Sequence, residues 1–388
     1  MDYFQTALAE HLKHQGKLEV KSRMPITTQD ELSIAYTPGV AEPCRAIAED
    51  VQRANQLTLK GRTVAVVSDG SAVLGLGNIG PEAAMPVMEG KCALFKEFAG
   101  VDAFPICLRT QNVDEIVRTV ELLEPTFGGI NLEDISAPRC FEIERALVER
   151  LNIPVFHDDQ HGTAIVVCAA VINAFRLVAK PLSEVKAVIN GAGAAGISIA
   201  KMLLKVGVKD ILICDSRGAI HSTREGINDE KRELAVELKN ARGYAFSEQI
   251  QTLSDAVEGR DLFIGVSAPN VLTAADVKKM REDSVIFALS NPTPEIMPDV
   301  ALENGAKIYG SGRSDFDNQI NNVIAFPGIF KGALEARATR ITDEMKLAAV
   351  NALAYSMSDD ELHTANIIPS VFTPNLAEIV ADAVKGAI

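Results

Sequence analysis

Apolar residues in this chain fall mostly in short continuous runs, separated by longer stretches with helical spacing. Val64–Val67, Ala103–Cys107, a run ending at Leu132 and Pro154–Phe156 are too short for core helices. They read as strands covered on both faces, the mark of a parallel sheet. Between them the pattern predicts helices near Glu82–Phe98, Val113–Leu123 and Arg139–Leu151. Residues 1–60 read as helices around a loop at Arg23–Thr28 and a turn-like segment at Ala35–Ala41.

A long apolar helix is expected from Gly162 to about Ala179, and Pro181 breaks the chain after it. A second alternating series follows. Strands are predicted at Lys186–Asn190, Asp210–Cys214, Asp261–Ile264, Ser284–Leu289 and Lys307–Tyr309, with helices over Ile197–Val206 and Asp229–Asn240. Phe330–Ile388 reads as helical and is expected to pack back across the first series. The fold class is therefore α/β with two domains. Residues 1–161 would form an α/β substrate domain, and 162–388 a Rossmann-type doubly wound dinucleotide-binding domain with extra C-terminal helices.

Composition narrows the function classes. A chain of 388 residues is long enough for two domains, and its net charge of −14 argues against nucleic-acid binding. The longest apolar stretch, Thr163–Phe175, is read as too short to span a bilayer. Met1–Val20 is charged and amphipathic, with no apolar signal-peptide centre. Six cysteines are scattered without C-x-x-C spacing, as in reduced buried thiols. Together these features lead to the expectation of a cytoplasmic protein.

Two acidic doublets end apolar runs, Glu133-Asp134 and Asp158-Asp159. Four carboxylates at strand ends would repel one another unless a cation gathers them, and oxygen donors suit Mg²⁺ or Mn²⁺. Solvated loop doublets are the plainer alternative. The pattern G-x-G-x-x-G occurs twice, at Gly75–Gly80 and at Gly191, Ala192, Gly193, Ala194, Ala195 and Gly196. Only the second follows a strand directly and opens a helix, and its next strand ends in Asp215, the arrangement that binds a dinucleotide. Asp215 favours NAD, whereas Arg217 could receive the 2′-phosphate of NADP. The first copy stands too far from its strand, so it is expected as a loop near the substrate, closed by Pro81 at a helix start.

Several segments in one order resemble the malic enzyme family, in its short bacterial form. They are Tyr36-Thr-Pro-Gly-Val-Ala41, Asp69–Gly77, Glu89–Phe95, Asn131–Asp134, Phe156–Thr163, Gly191–Gly196, Ser290–Thr293 and Asn321–Gly328, and they span nearly the whole chain. The resemblance implies oxidative decarboxylation of L-malate to pyruvate and CO₂ with reduction of NAD(P), and decarboxylation of oxaloacetate. It implies that Glu133, Asp134 and Asp159 hold Mg²⁺ or Mn²⁺. Lys91 would be the general base, oriented by Asp158, and Tyr36 the general acid. Lys91, Asn291, Asn321 and Asn322 would meet the substrate, with Asn291 also on the nicotinamide side. A homodimer joined through the N-terminal helices is expected as well.

The assigned chemistry is coherent. A 2-hydroxy acid needs a base and a hydride acceptor, and the resulting β-keto acid loses CO₂ to leave an enolate that an acid must protonate. An adjacent dication is expected to lower the Lys91 pKa, while Asp158 opposes that change. His157 and His161 flank the second doublet and suggest zinc, but the family pattern leaves both outside the ligand set. Larger malic enzymes carry an arginine for the substrate carboxylate where this chain has Ala72, so that charge would fall to Ser71, to N–H groups of the 75–80 loop, or to an arginine elsewhere. Three other functions fit parts of the pattern: malolactic decarboxylation of malate to lactate, a non-decarboxylating hydroxy-acid dehydrogenase, and a nucleotide-sensing module.

Overall fold

The structure is a computed structural model that describes residues 3–242, 250 and 252–388. Among the described residues the strands form two sheets. The first joins β1 (Thr63–Ser68), β2 (Asp102–Cys107), β3 (Gly129–Leu132) and β4 (Val155–His157), all parallel, in the order β2-β1-β3-β4. Val64 to Val67 are fully buried on the central strand, which accounts for the unbroken apolar run. Register then determines the functional rim. Val67 stands opposite Leu132, and Leu132 opposite His157, so Glu133 and Asp158 leave the same edge side by side.

The second sheet holds β5 (Lys186–Asn190), β6 (Asp210–Asp215), β7 (Gly218–Ala219), β8 (Leu262–Gly265), β9 (Ser284–Ala288) and β10 (Ala306–Ser311). Its order is β10-β9-β8-β5-β6-β7, parallel except for β7, a short antiparallel strand that the sequence pattern did not reveal. The chain moves outward from β5 in one direction, then returns to β8 and moves in the other. That reversal opens a crevice at the carboxyl ends of β5 and β8, where doubly wound sheets bind ligands.

The helix after β4 differs from expectation. It runs Asp158–Leu177, so the second acidic doublet forms its first turn instead of a strand end. Carboxylates are favoured there because they face the positive end of the helix dipole. The position between residues 161 and 162 therefore lies within one continuous helix. This helix is also long and apolar enough, by length and composition, to cross a membrane, which corrects the shorter run read from sequence. Yet 78% of its apolar window is buried inside the protein, where it packs against the Ala194–Lys205 helix.

Three C-terminal helices, Phe326–Glu335, Asp343–Tyr355 and Leu376–Gly386, pack together. The first returns to the first sheet, where the Phe330 ring meets Phe95 and Phe156 edge-on, with centroids 5.3 and 5.8 Å away. Gly129 of β3 leaves room for that ring, which lies 3.0 Å from where a Cβ would stand.

The N-terminal segment is different in character. Helices Tyr3–His14, Gln29–Ala35 and Ala41–Glu49 bury only Ala46 among their residues. Tyr3, Phe4, Leu8, Leu12, Val20 and Ile34 are each more than half exposed. Cys92, Cys140, Cys168 and Cys214 are buried, Cys107 is half-buried, Cys44 is exposed, and all six are free thiols.

Because Phe330 fills the seam between the C-terminal helices and the first sheet, Phe330→Ala should destabilise the protein by about 3–5 kcal/mol, read from urea unfolding. A loss below about 1 kcal/mol would show that the seam does not hold the two parts together.

Candidate functional site

The rim at the ends of β3 and β4 gathers the acids. Carboxylate oxygens of Glu133, Asp134 and Asp159 lie within 4.8 Å of one another. Glu133 and Asp134 are buried, and Asp159 is partly so. Asp134 adopts a left-handed backbone, φ 54°, and its N–H donates to Asp159 Oδ2 at 2.8 Å. This bond joins the first doublet to the second. Asn131 Nδ2 donates to Glu133 Oε2 at 2.8 Å.

Lys91 reaches the same place from the Pro81–Ala99 helix, which starts with Pro81 as the sequence pattern predicts. Its Nζ lies 2.9 Å from Glu133 Oε1 and 2.5 Å from Asp158 Oδ2, and 4.1 Å from the centroid of the Phe326 ring. Burial would lower the lysine pKa, but the charges of Asp158 and Glu133 outweigh it and hold the ammonium above its usual range. Burial raises Glu133 well above the usual carboxylate range, and repulsion from Asp159, Asp158 and Asp134 adds to this against the pull of Lys91. One ammonium therefore does not balance the cluster. An all-oxygen donor set with surplus negative charge fits a hard divalent cation.

Asp158 is fully buried, and Gly162 makes room for it one turn later. A Cβ on Gly162 would stand 1.8 Å from Asp158 Oδ1 and 3.2 Å from Asn322 Cβ. Asn322 is thus packed against Gly162, one turn after Asp158, and Asn321 caps the turn that Asn322 begins, accepting from the Val323 N–H at 2.9 Å. Asn291 approaches from the second sheet. Gly75 of the first glycine-rich loop would place a Cβ 2.2 Å from the Asn291 carbonyl oxygen, so that loop closes against the β9 end. Tyr36 is 67% exposed, and no described group hydrogen-bonds its hydroxyl. It stands at the C-terminal end of the exposed Gln29–Ala35 helix.

The two histidines are placed differently: the His161 ring pairs with Glu144, and the His157 ring stays beside Asp159. His161 Nε2 lies 2.9 Å from Glu144 Oε1, which also accepts the His157 N–H at 2.9 Å. His157 is fully buried, with Nδ1 3.8 Å from Asp159 Oδ2. Glu144 thus fastens the turn that carries Asp158 and Asp159, and the sequence reading missed it. Burial would raise its carboxyl, but His161 and Lys346 bring it down to about 2. A histidine one turn after the acidic doublet was the available signal, since a buried imidazole calls for a partner, and Glu144 is the partner of His161.

Arg139 also escaped the sequence reading. It pairs with Asp69 at 3.0 Å and donates to the Ser71 and Ser136 hydroxyls at 3.0 and 2.9 Å. It is the arginine that reaches the loop containing Ala72, and it ties that loop to the β3 end.

In the second sheet the three glycines of Gly191–Gly196 differ in their surroundings. Gly191 has φ 124°, and Gly196 would place a Cβ 1.8 Å from the Gly191 carbonyl oxygen. Gly193 has nothing within 4 Å and precedes the Ala194–Lys205 helix. Tight turn, close packing and open approach to a helix N-terminus are the features of a pyrophosphate site. Asp215 ends the adjacent strand β6 and accepts the Arg217 N–H at 2.9 Å.

A lysine–acid cluster on one sheet facing a dinucleotide crevice on another defines a dinucleotide-dependent oxidoreductase suited to a divalent cation. Residues 15–148 match the malic enzyme N-terminal domain and 160–387 the malic enzyme NAD-binding domain, so the chain belongs to the malic enzyme family. It is 56% identical to the bifunctional malic/malolactic enzyme of Bacillus subtilis, covering 100% of this chain and 93% of that protein. It is 47% identical to the NADP-dependent malic enzyme of Escherichia coli, over 96% of this chain and 50% of that one. The NAD-dependent malic enzyme structure from Thermotoga maritima superposes with a TM-score of 0.93 at 49% identity, covering 98% and 99% of the two chains.

Glu144→Gln should weaken Mn²⁺ binding about tenfold or more, measured by titration calorimetry, because the turn bearing Asp159 loses its anchor. The wild-type stability advantage should be present above the ordinary glutamate value near ~4.3 and fade as pH falls from there toward about 2. Unchanged metal affinity would show that the anchor is dispensable.

Proposed function

We propose that this chain catalyses divalent-metal-dependent oxidative decarboxylation of L-malate to pyruvate and CO₂ with reduction of NAD(P), and also decarboxylates oxaloacetate. The observation that carries this reading is Lys91 held between Asp158 and Glu133 on the rim that also gathers Asp134 and Asp159. The chain works as two units, 1–161 and 162–388, joined by the Asp158–Leu177 helix.

In this reading Glu133, Asp134 and Asp159 hold Mg²⁺ or Mn²⁺. Bound, the cation would supply Lewis-acid polarisation and NAD(P) a hydride acceptor. Lys91 would act as a free amine once a bound cation offset the charges of Glu133 and Asp158 that now hold it protonated; it then takes the proton of the C2 hydroxyl, and Asp158 fixes its Nζ. Asn291, Asn321 and Asn322 orient the substrate carboxylate against the nicotinamide, with Asn291 on the cofactor side. After CO₂ leaves, Tyr36 protonates C3 of the enolate. Gly191–Gly196 receive the pyrophosphate, and Asp215 with Arg217 the adenosine ribose.

The exposed apolar N-terminal face supports a homodimer, because patches of that kind seldom stay uncovered in a monomer. A second copy over these helices would also bring Tyr36 under cover. The free, mostly buried cysteines support a cytoplasmic location.

Malate with Mn²⁺ and NAD(P) should give rising absorbance at 340 nm and equimolar pyruvate. Chelation with EDTA should abolish both, and Lys91→Ala should lower turnover by at least about a hundredfold. Lactate with no reduced cofactor would favour the malolactic reading, which the name of the Bacillus subtilis relative supports. Activity that survives chelation would point to a dehydrogenase that does not decarboxylate.

Light scattering should give twice the mass of one chain, and Leu8→Glu combined with Leu12→Glu should shift it to one. A wild-type monomer at micromolar concentration would refute the dimer.

A further inference from the structure

We propose that Glu295 is a positioning residue for the nicotinamide half of the cofactor: its buried carboxylate sets the loops after β8 and β9, and with them the place of Asn291. This rests on the dinucleotide reading above, with Asn291 on the cofactor side. A dinucleotide lies across the point where the strand order reverses, one half on each side. The glycine turn after β5 and Asp215 at the end of β6 stand on one side and would take the pyrophosphate and the adenosine ribose. The other half then rests on the ends of β8 and β9. Gly75 of the first domain closes on the Asn291 carbonyl there, so this is also the side where a substrate would arrive.

Glu295 is fully buried. Its Oε1 accepts the Ser267 N–H and its Oε2 the Ser290 N–H, each at 3.0 Å. The first donor lies just past the end of β8, and the second just past the end of β9, next to Asn291. One carboxylate therefore spans both loops. Gly265 gives it room, because a Cβ there would collide with the Glu295 carboxyl carbon. The main chain repeats the connection: the Asn270 N–H donates to the Pro294 carbonyl at 3.1 Å, and the Leu272 N–H to the Glu295 carbonyl at 3.0 Å. Asn190, the last residue of β5, joins from the glycine side, donating from Nδ2 to the Ser267 hydroxyl at 2.8 Å. The glycine turn, both loops and Asn291 are thus referenced to the same side chain.

Stability alone does not account for a carboxylate at this position. Among the described residues no cation forms an ion pair with Glu295. Burial pushes its carboxyl up, and backbone N–H groups, those of Ser267 and Ser290 first, pull against that. A buried charge without a counter-charge costs free energy that an apolar side chain of the same volume would not. What the carboxylate supplies is geometry. Two charge-assisted bonds from one rigid group hold two separate loops in a fixed register. A ring bound over those loops keeps the orientation that hydride transfer needs only while the register holds.

Titration calorimetry on the full chain with NADH and with ADP-ribose, which lacks the nicotinamide, tests this without any catalytic step. The wild type should bind NADH more tightly than ADP-ribose. Glu295→Gln keeps the shape but sets an amide N–H₂ against one of the two backbone N–H groups. It should cut that ratio about tenfold or more, the scale of one hydrogen bond to a charged group, while ADP-ribose affinity stays within about threefold. Glu295→Met buries no charge and should show the same loss, so it keeps the test open if Glu295→Gln does not fold. A folded variant that keeps the full ratio would overturn the proposal, as would equal loss of both ligands, which is what a purely structural role predicts. A wild type that binds the two equally would overturn it too. Binding of neither by the wild type would remove the dinucleotide site itself, and the positioning role with it.

Discussion

The rest of this structure depends on holding four carboxylates and one ammonium together out of water. Removing a carboxylate from solvent costs several kcal/mol unless an opposite charge compensates. Glu133 and Asp158 share the buried ammonium of Lys91, and Asp134 and Asp159 crowd against Glu133, so negative charge is concentrated at this rim. Its surroundings limit that cost locally. Asp158 and Asp159 occupy a helix N-terminus, the Asp134 amide donates to Asp159, and Asn131 donates to Glu133.

That arrangement explains why apparently remote residues are constrained. Gly162 lacks a side chain so that the Asp158 carboxylate has somewhere to lie. Glu144 ties down His157 and His161 on either side of the acids, and Lys346 approaches from the C-terminal helices. Arg139 fastens the Asp69–Ser71 turn to the strand end that carries Glu133. Phe326 stacks under the Lys91 ammonium while Phe330, one turn on, seals the first sheet. The C-terminal helices therefore serve the acidic rim although they follow the second sheet in sequence.

The two sheets divide the chemistry by charge. The first concentrates negative charge where a cation and a hydroxy acid would meet. The second offers a bare glycine loop, a helix N-terminus and two cations, Arg224 and Lys231, on Asp215. The 75–80 loop, closing through Gly75 on the Asn291 carbonyl, joins the two. The exposed N-terminal helices are the part that this internal logic leaves unfinished.

Much of this was legible in the chain. Unbroken apolar runs signalled parallel strands because a strand buried on both faces has no polar side to show. Spacing alone marked the second glycine fingerprint as the one in a tight strand-to-helix turn. The acids, Lys91 and the asparagines stood out through the order of their motifs. Proximity across the fold was not legible. Lys91 and Asp158 are 67 residues apart, and only sheet register and helix docking place them at 2.5 Å. The start of the Asp158 helix was misread because an acidic doublet after a strand looks the same whether it ends the strand or begins a helix. Glu144, Arg139 and the cations on Asp215 were hidden for a similar reason: a single charged residue on a helix looks like solvated surface until tertiary packing gives it a partner. The sequence determined which chemistry the chain carries. The tertiary structure decided which groups share a charge, because electrostatic coupling depends on distance in space and not on distance along the chain.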